Sequence, residues 1–218
     1  VVMTYSAAYL PKRDGNTSFY TIMTAFTLSV LLLVLANDTV VLFIGWELVS
    51  IASFLLIARS GSGGEAGSYR TLMLTFFGGL TLLAALAVAS ISTGTTRLTE
   101  VLASDVWREN PGLTTTVAIL VAVSGFTKAA QFPFHFWLPE AMAAATPVSA
   151  FLHAAAVVKA GIYLLLRFST IFSDVAAWNW LLLVVGLGTA IMSALFAITK
   201  TDLKQHMRML SHLSMAYY

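Results

Sequence analysis

The stretch SGFTKAAQFPFHFWLPEAM, residues 124–142, places a lysine, a histidine and two prolines inside a long apolar segment. Pro133 has no backbone N–H to donate, so a helix that runs through this stretch is interrupted and the carbonyl of Ala129 is left free. In a bilayer such a carbonyl must find water or a polar side chain, because lipid offers no donor. The stretch therefore predicts a broken membrane helix with a hydrated pocket beside Lys128.

The composition is typical of an integral membrane protein. Of the 218 residues, 58% are hydrophobic and only 10% are charged, whereas a soluble domain carries about 25% charged residues. Crossing a bilayer takes about 20 apolar residues, and six segments meet that requirement: 20–36, 39–58, 71–92, 113–131 with a continuation past the break to 144, 147–168 and 180–199. We predict an all-α transmembrane helix bundle, one domain over residues 1–218, with a helix broken at about 124–140.

Both ends of the chain look cut. The first residues, VVMTYSAAYL, lack the charged start of a signal peptide and resemble the end of an earlier helix. The last residues, HMRMLSHLSMAYY at 206–218, begin another partly apolar segment. We therefore expect partial helices at both ends of a fragment of a larger inverted-repeat fold, whose second copy would lie beyond residue 218.

Charge and cysteine content exclude several classes of function. A net charge of +2, spread along the loops, gives no basic surface for nucleic acid. The absence of cysteine excludes disulfides, thiolate catalysis, iron–sulfur clusters and cysteine-bound zinc. We expect no cofactor and no metal site.

The distribution of lysine and arginine predicts the orientation. If the spans alternate, one side of the membrane receives Lys12, Arg13, Arg59, Arg70, Lys200, Lys204 and Arg208, and the other receives Arg97, Arg108 and Arg167. The positive-inside rule places the richer side in the cytoplasm. We expect a multi-pass protein of the cell membrane.

Several ionisable residues fall at membrane depth: Glu47 in the second span, Lys128 in the fourth, His135 after it, and His153 and Lys159 in the fifth. A charge at the bilayer centre costs between about 3 and 10 kcal/mol, so such residues usually face a partner or water. Glu47 is the natural opposite charge for Lys128. Histidine titrates nearest to physiological pH and suits an intermediate station for a proton.

Each of these positions also has a structural interpretation. Glu47 and Lys128 could form only an ion pair that fixes helix packing, and His153 could be a hydrogen-bonded core histidine. His135 lies near the break and could face the interface, and Glu140 could be a boundary residue in contact with water. Packing or interface roles are expected for Trp46, Trp137, Trp178 and Trp180, and close helix packing is expected at Gly78, Gly79 and Gly161.

Three segments resemble one known family: WELVS at 46–50, FTKAAQFPFHFWLPEAMAAATPVSAFLHAAAVVKAGIYLLLR at 126–167, and ITKTDLKQ at 198–205. They are similar to the proton-conducting antiporter family shared by respiratory complex I and the Mrp-type multisubunit sodium/proton antiporters. Within it, QFPFHFWLP and VKAGIY look most like the large A subunits of Mrp complexes. The resemblance runs from about residue 10 to 205 and covers what would be helices four to nine of that fold.

The resemblance implies a role for each membrane-depth residue. Glu47, Lys128 and His153 match the residues that form the family's proton path, and Lys159 matches a lysine found in Mrp-type members. The chain would be a transporter subunit rather than an enzyme, exchanging Na+ for protons together with other membrane subunits in the lipid bilayer. Ala145 departs from a common proline, and residues 206–218 match nothing in the family, so no function is carried onto them.

Two other functions compete with this interpretation. The first is an antiporter-like proton-pumping subunit of NADH–quinone oxidoreductase, complex I, although His135 and Lys159 favour the Mrp type. The second is a membrane redox protein that binds haem through His135 and His153. That function would leave the buried lysines unexplained.

Overall fold

The computed structural model describes residues 2–9, 16–59, 62–141, 146–152 and 157–198, and within these ranges the chain is helical and contains no strand. The helices are α1 (Val2–Tyr9), α2 (Asn16–Leu35), α3 (Thr39–Ala58), α4 (Ser62–Thr93), α5 (Leu98–Ala103), α6 (Val106–Glu109), α7 (Pro111–Lys128), α8 (Trp137–Ala141), α9 (Thr146–Ala150), α10 (Val157–Phe172) and α11 (Ala176–Ile198). The predicted all-α class is confirmed.

Among the described residues, four helical segments are long and apolar enough to cross a membrane: Asn16–Leu35, Thr39–Ala58, Gly67–Thr93 and Ala176–Phe196. The other two expected spans, 113–131 and 147–168, fall on α7 and α10, which are 18 and 16 residues long. Shorter helical pieces accompany them: a 3-10 turn at Phe134–Phe136, followed by α8, after α7, and α9 before α10. The helix predicted to break at about 124–140 is therefore broken.

Helix α3 packs against α2 and against α4. Its exposed large side chains recur every three or four residues, which puts them on one face: Val40, Ile44, Leu48, Ile51 and Leu55. These residues are apolar, as a helix face in contact with lipid requires. The opposite face is buried and carries Trp46.

The buried side chains form two apolar clusters. The first includes Trp46, Phe126, Phe168, Phe172 and Trp178. The second includes Met23, Phe26, Val49, Ala129 and Trp137. Because the end of α7 contributes Phe126 to one cluster and Ala129 to the other, Lys128 lies at the junction between them.

Two loops are joined at one end of the bundle. The Thr39 amide donates to the Thr96 carbonyl at 2.8 Å, and the Leu98 amide donates to the Asn37 carbonyl at 2.9 Å. These bonds tie the turn between α2 and α3 to the turn between α4 and α5. Alternating spans would place both turns on the same side of the membrane, and the structure brings them together at one end of the bundle.

Asp38 caps α3 within this junction. Its carboxylate accepts from the Val40 amide at 2.8 Å, the Val41 amide at 3.3 Å and the Thr96 hydroxyl at 2.7 Å. The Thr96 hydroxyl first, and then the two amides, hold the pKa of Asp38 below its ordinary value of 3.8. A carboxyl whose pKa is lowered by folding stabilises the fold above its unfolded-state pKa, and that stabilisation is lost as the pH falls through the folded-state pKa.

We therefore expect Asp38→Ala to lower the melting temperature at neutral pH, and the difference from wild type to shrink below about pH 4. Asp38→Asn keeps a side-chain oxygen that can cap the helix and is expected to lose less. Thermal unfolding of the purified protein at several pH values measures both effects. A difference that stays the same from neutral to acid pH would contradict the assignment.

Candidate functional site

Lys128 is the last residue of α7, and the helix stops immediately after it. The Gln131 amide donates to the Phe126 carbonyl at 3.0 Å and the Ala130 amide to the Thr127 carbonyl at 3.4 Å, which is the bond pair of a Schellman motif. Ala130 takes the left-handed conformation that this motif needs, with φ of 51°. A cation in the last turn of a helix is favoured by the helix dipole.

The carbonyls freed by the break are taken up by polar side chains. The Ala129 carbonyl, which Pro133 was expected to free, accepts from the Gln131 side-chain amide at 3.3 Å. The Thr127 carbonyl accepts from the Trp137 indole N–H at 2.9 Å. Trp137, which we interpreted as a packing or interface residue, therefore also closes the end of α7.

The Lys128 side chain is completely buried, with 0% exposure, and so is Trp46. Its Nζ donates to the Trp46 backbone carbonyl at 2.6 Å and lies 4.1 Å from the centre of the indole ring. The Ser50 hydroxyl donates to the same carbonyl at 3.1 Å. Trp46 thus holds the ammonium by a charge-assisted hydrogen bond and a cation–π contact.

Glu47 follows Trp46 on α3 and is half-buried. Within the described residues its buried Oε1 has no hydrogen-bond partner, and its carboxylate forms no direct ion pair with Lys128. The two groups are nevertheless close enough to attract each other electrostatically. The arrangement therefore differs from a simple structural ion pair, because Lys128 donates to the Trp46 carbonyl and is not directly paired with the nearby Glu47 carboxylate.

Two glycines of α4 face this pair. A Cβ atom built on Gly79 would overlap Oε1 of Glu47, and one built on Gly78 would overlap the Thr127 hydroxyl. Because Gly78 and Gly79 have no side chains, Thr127 of α7 and Glu47 of α3 can pack directly against the backbone of α4.

Helix α10 meets the end of α7 through backbone contact. A Cβ on Gly161 would lie 2.6 Å from the Ala129 amide nitrogen and 2.6 Å from the Gly125 carbonyl oxygen. Lys159 lies two residues before this contact and is half-buried. His153 lies outside the described residues.

His135 lies in the 3-10 turn of the break. Its ring stacks on Phe132, with centroids 6.0 Å apart, and contacts Phe136, with centroids 4.3 Å apart. Of the predicted site residues, the structure brings Glu47 and Lys128 together. It places His135 against the rings of its sequence neighbours Phe132 and Phe136.

The main residue that the sequence reasoning missed is Trp46 as the direct partner of Lys128. Its position immediately before Glu47 is the only signal in the sequence, because the group that binds the ammonium is a backbone carbonyl. Two further buried polar atoms belong to Trp46 and to Ser124, which lies four residues before Lys128 on α7: Trp46 Nε1 and Ser124 Oγ have no hydrogen-bond partner in the part of the chain that the structure describes.

Residues 36–218 match the family model for the NADH:quinone oxidoreductase/Mrp antiporter transmembrane region. Over 206 residues, 93% of its length, the chain is 42% identical to a Staphylococcus aureus (strain MRSA252) protein provisionally named antiporter subunit mnhA2. The same level of identity is found with the protein of that name from strain USA300. The chain spans 26% of these relatives, about a quarter of their length.

The solved structures with a similar fold include the following two. One is a chain of the Mrp complex from Dietzia sp. DQ12-45-1b, with a TM-score of 0.97 and 49% identity over 99% of this chain and 24% of that chain. The other is a chain of the membrane-bound sulfane sulfur reductase, an archaeal respiratory membrane complex, with a TM-score of 0.82. Its 24% identity, over 91% of this chain and 41% of that one, supports a likeness of fold alone.

Proposed function

The chain belongs to the NADH:quinone oxidoreductase/Mrp antiporter transmembrane family, and from this premise we propose that it conducts protons across the cell membrane as part of a multisubunit Na+/proton antiporter. Its partners would be the other membrane subunits of such a complex. The relatives at 42% and 49% identity carry antiporter and Mrp names, which favours this function over the proton-pumping subunit of NADH–quinone oxidoreductase.

The observation that carries the proposal is the buried ammonium of Lys128 at the end of a broken helix. A cation without solvent exposure is costly in a membrane protein and usually serves a pathway. Here it bonds to a main-chain carbonyl, while the Glu47 carboxylate close by keeps one oxygen without a hydrogen bond. A second acceptor is thus available to the ammonium.

The contacts of Lys128 depend on its charge. The bond to the Trp46 carbonyl is charge-assisted and the contact with the indole ring needs a cation, so both weaken when the proton leaves. Protonation would therefore decide where the side chain rests. Membrane potential supplies about 2.3 kcal/mol per charge per 100 mV, which is enough to bias such a step.

We assign the remaining steps of the proton path to Glu47, His135, His153 and Lys159. Glu47 would donate a proton to Lys128 or accept one from it. The buried polar atoms of Trp46 and Ser124 offer hydrogen bonds to water, which could connect groups that do not touch. Lys159 lies on the helix that contacts α7 and would continue the path away from Lys128.

Replacing Glu47 by glutamine tests this assignment, because glutamine keeps the shape of the side chain and removes its charge. We expect Na+-driven proton exchange in everted membrane vesicles containing the whole complex to fall by about 100-fold or more, the size of effect that loss of a positioned proton-transfer group produces. The matched control is Glu100→Gln, because Glu100 is exposed and its partners within the described residues belong to its own turn. Full exchange in assembled Glu47→Gln complex would contradict the proposal.

The identity of the copurifying subunits tests the complex. An antiporter assembly is expected to contain membrane subunits and no peripheral iron–sulfur proteins. Copurification of such iron–sulfur subunits with this chain would favour the complex I function instead.

A further inference from the structure

We infer that Gly79 is a positioning residue for Glu47: its missing side chain creates the slot on α4 that receives the glutamate carboxylate. The slot itself is a feature of the structure. Its importance for transport rests on the proposed function.

The atoms that a side chain at Gly79 would meet define the slot. A Cβ atom would overlap Oε1 of Glu47 and would lie 3.0 Å from Cδ and 3.5 Å from Oε2. All three atoms belong to the carboxylate at the far end of a flexible side chain. Alanine at this position would therefore be accommodated by moving the carboxylate, and the helices themselves need not separate.

Other glycines of the helices have different neighbours. A Cβ on Gly45 would lie 2.9 Å from the backbone of Leu33, and one on Gly188 would have only an ordinary contact, at 4.0 Å from Phe132. Among the glycines whose surroundings the structure describes, Gly79 alone would meet a charged side chain. Gly79 therefore differs from glycines that serve only helix packing.

The Glu47 carboxylate is positioned against α4 by close packing on Gly79 and not by a hydrogen bond. Within the described residues Oε1 of Glu47 is buried and has no hydrogen-bond partner, so nothing on the α4 side anchors it except the shape of the slot. The attraction between Glu47 and Lys128 varies inversely with their separation. Filling the slot would change that separation and with it the coupling of the two groups.

The test is Gly79→Ala in the complete complex, with Gly188→Ala as the matched control. We expect assembly of Gly79→Ala complex to match wild type and Na+-driven proton exchange to fall at least about tenfold, since displacements near 1 Å at a working group can cost up to about 100-fold. Gly188→Ala is expected to keep wild-type exchange. Normal exchange in the Gly79→Ala variant, under conditions where Glu47→Gln loses exchange, would overturn the inference.

A second-site change separates positioning from packing. Glu47→Asp withdraws the carboxylate by one methylene, so the double variant Gly79→Ala/Glu47→Asp is expected to exchange protons faster than Gly79→Ala alone, a non-additive effect of residues in contact. The same Glu47→Asp change is not expected to rescue Gly45→Ala, whose neighbour is backbone. If Gly79→Ala does not assemble, restored assembly in the double variant supports the inference, and continued failure overturns it.

A readout without transport distinguishes this inference from the proposed function. A hydrophobic carbodiimide modifies buried carboxyl groups, and mass spectrometry measures its rate of reaction with Glu47. We expect Gly79→Ala to change that rate several-fold and Gly188→Ala to leave it unaltered. If Glu47→Gln keeps full exchange while Gly79→Ala still changes the rate of carbodiimide modification of Glu47, the proposed function is contradicted and the positioning role of Gly79 is supported. If Gly79→Ala leaves that rate unchanged, the positioning role is contradicted.

Discussion

Replacing Lys128 by methionine is expected to reduce Na+-driven proton exchange to the background of vesicles that lack the complex. Methionine fills nearly the same buried volume but carries no proton and no charge. It cannot donate to the Trp46 carbonyl at the 2.6 Å found for the ammonium. Every step of the proposed path that passes through the α7 break would therefore be lost.

The same variant is expected to assemble. Replacing both members of a buried ion pair by apolar groups is often neutral for stability, whereas removing one member leaves the other charge uncompensated. Glu47 is only half-buried and forms no direct ion pair with Lys128 within the described residues, which reduces that penalty, and volume-conserving changes usually cost less than about 1.5 kcal/mol. The Trp46 carbonyl keeps its hydrogen bond from the Ser50 hydroxyl. Dividing the exchange rate by the amount of purified, assembled complex therefore separates the effect of losing the Lys128 charge from any effect on assembly.

Arg97→Met is the control for loss of a cation. Its side chain is 67% exposed and pairs with Glu100 at the surface, a type of interaction that contributes little. We expect this variant to retain exchange. An assembled Lys128→Met complex that also retains exchange would remove Lys128 from the proton path.

Gly161→Ala is expected to destabilise the bundle by about 3 kcal/mol or more, at or above the upper end of the usual cost of overpacking. The added methyl would lie 2.6 Å from the Ala129 nitrogen and the Gly125 oxygen. Both are backbone atoms, so relief requires α7 and α10 to move apart. A lower melting temperature and a smaller yield of assembled complex in mild detergent would show the effect.

Gly188→Ala again provides the matched control, because it adds the same methyl where only an ordinary contact exists. It is expected to melt as wild type does. Should Gly161→Ala melt and assemble like this control, the close approach of α7 and α10 would be refuted.

The residue types near the break made much of the site predictable. Pro133 indicated where a helix must be interrupted, and the depth of Glu47 and Lys128 in apolar sequence indicated a pair of partly compensated charges. The structure places these two residues together at the broken end of α7. Residue type and depth were sufficient for this, because a charge inside the bilayer usually faces an opposite charge or water.

The exact end of α7 was not predictable in the same way. A Schellman motif usually announces itself through glycine in the left-handed position, and here that position is Ala130, with φ of 51°. An alanine adopts this conformation at a cost of about 1–2 kcal/mol, so no local preference marks it. The surrounding packing, which buries Ala130 completely, has to select it.

The partners of the site residues were also hidden from the sequence. Lys128 bonds to a backbone carbonyl, which every residue possesses, so residue type gives no signal. Gly79 was expected only to permit close helix packing, and periodicity does not tell which neighbour a glycine will meet. Both relations arise between helices that are distant in the chain and require the tertiary structure.

The carbonyl that binds the Lys128 ammonium and the nearby carboxylate belong to consecutive residues of helix α3, Trp46 and Glu47. A charged group at the tip of a four-carbon arm can swing from one acceptor to its neighbour by torsion about its own bonds. Such a rotation needs no tilt, slide or unwinding of any transmembrane helix, so the proposed change of acceptor would leave the helices in place.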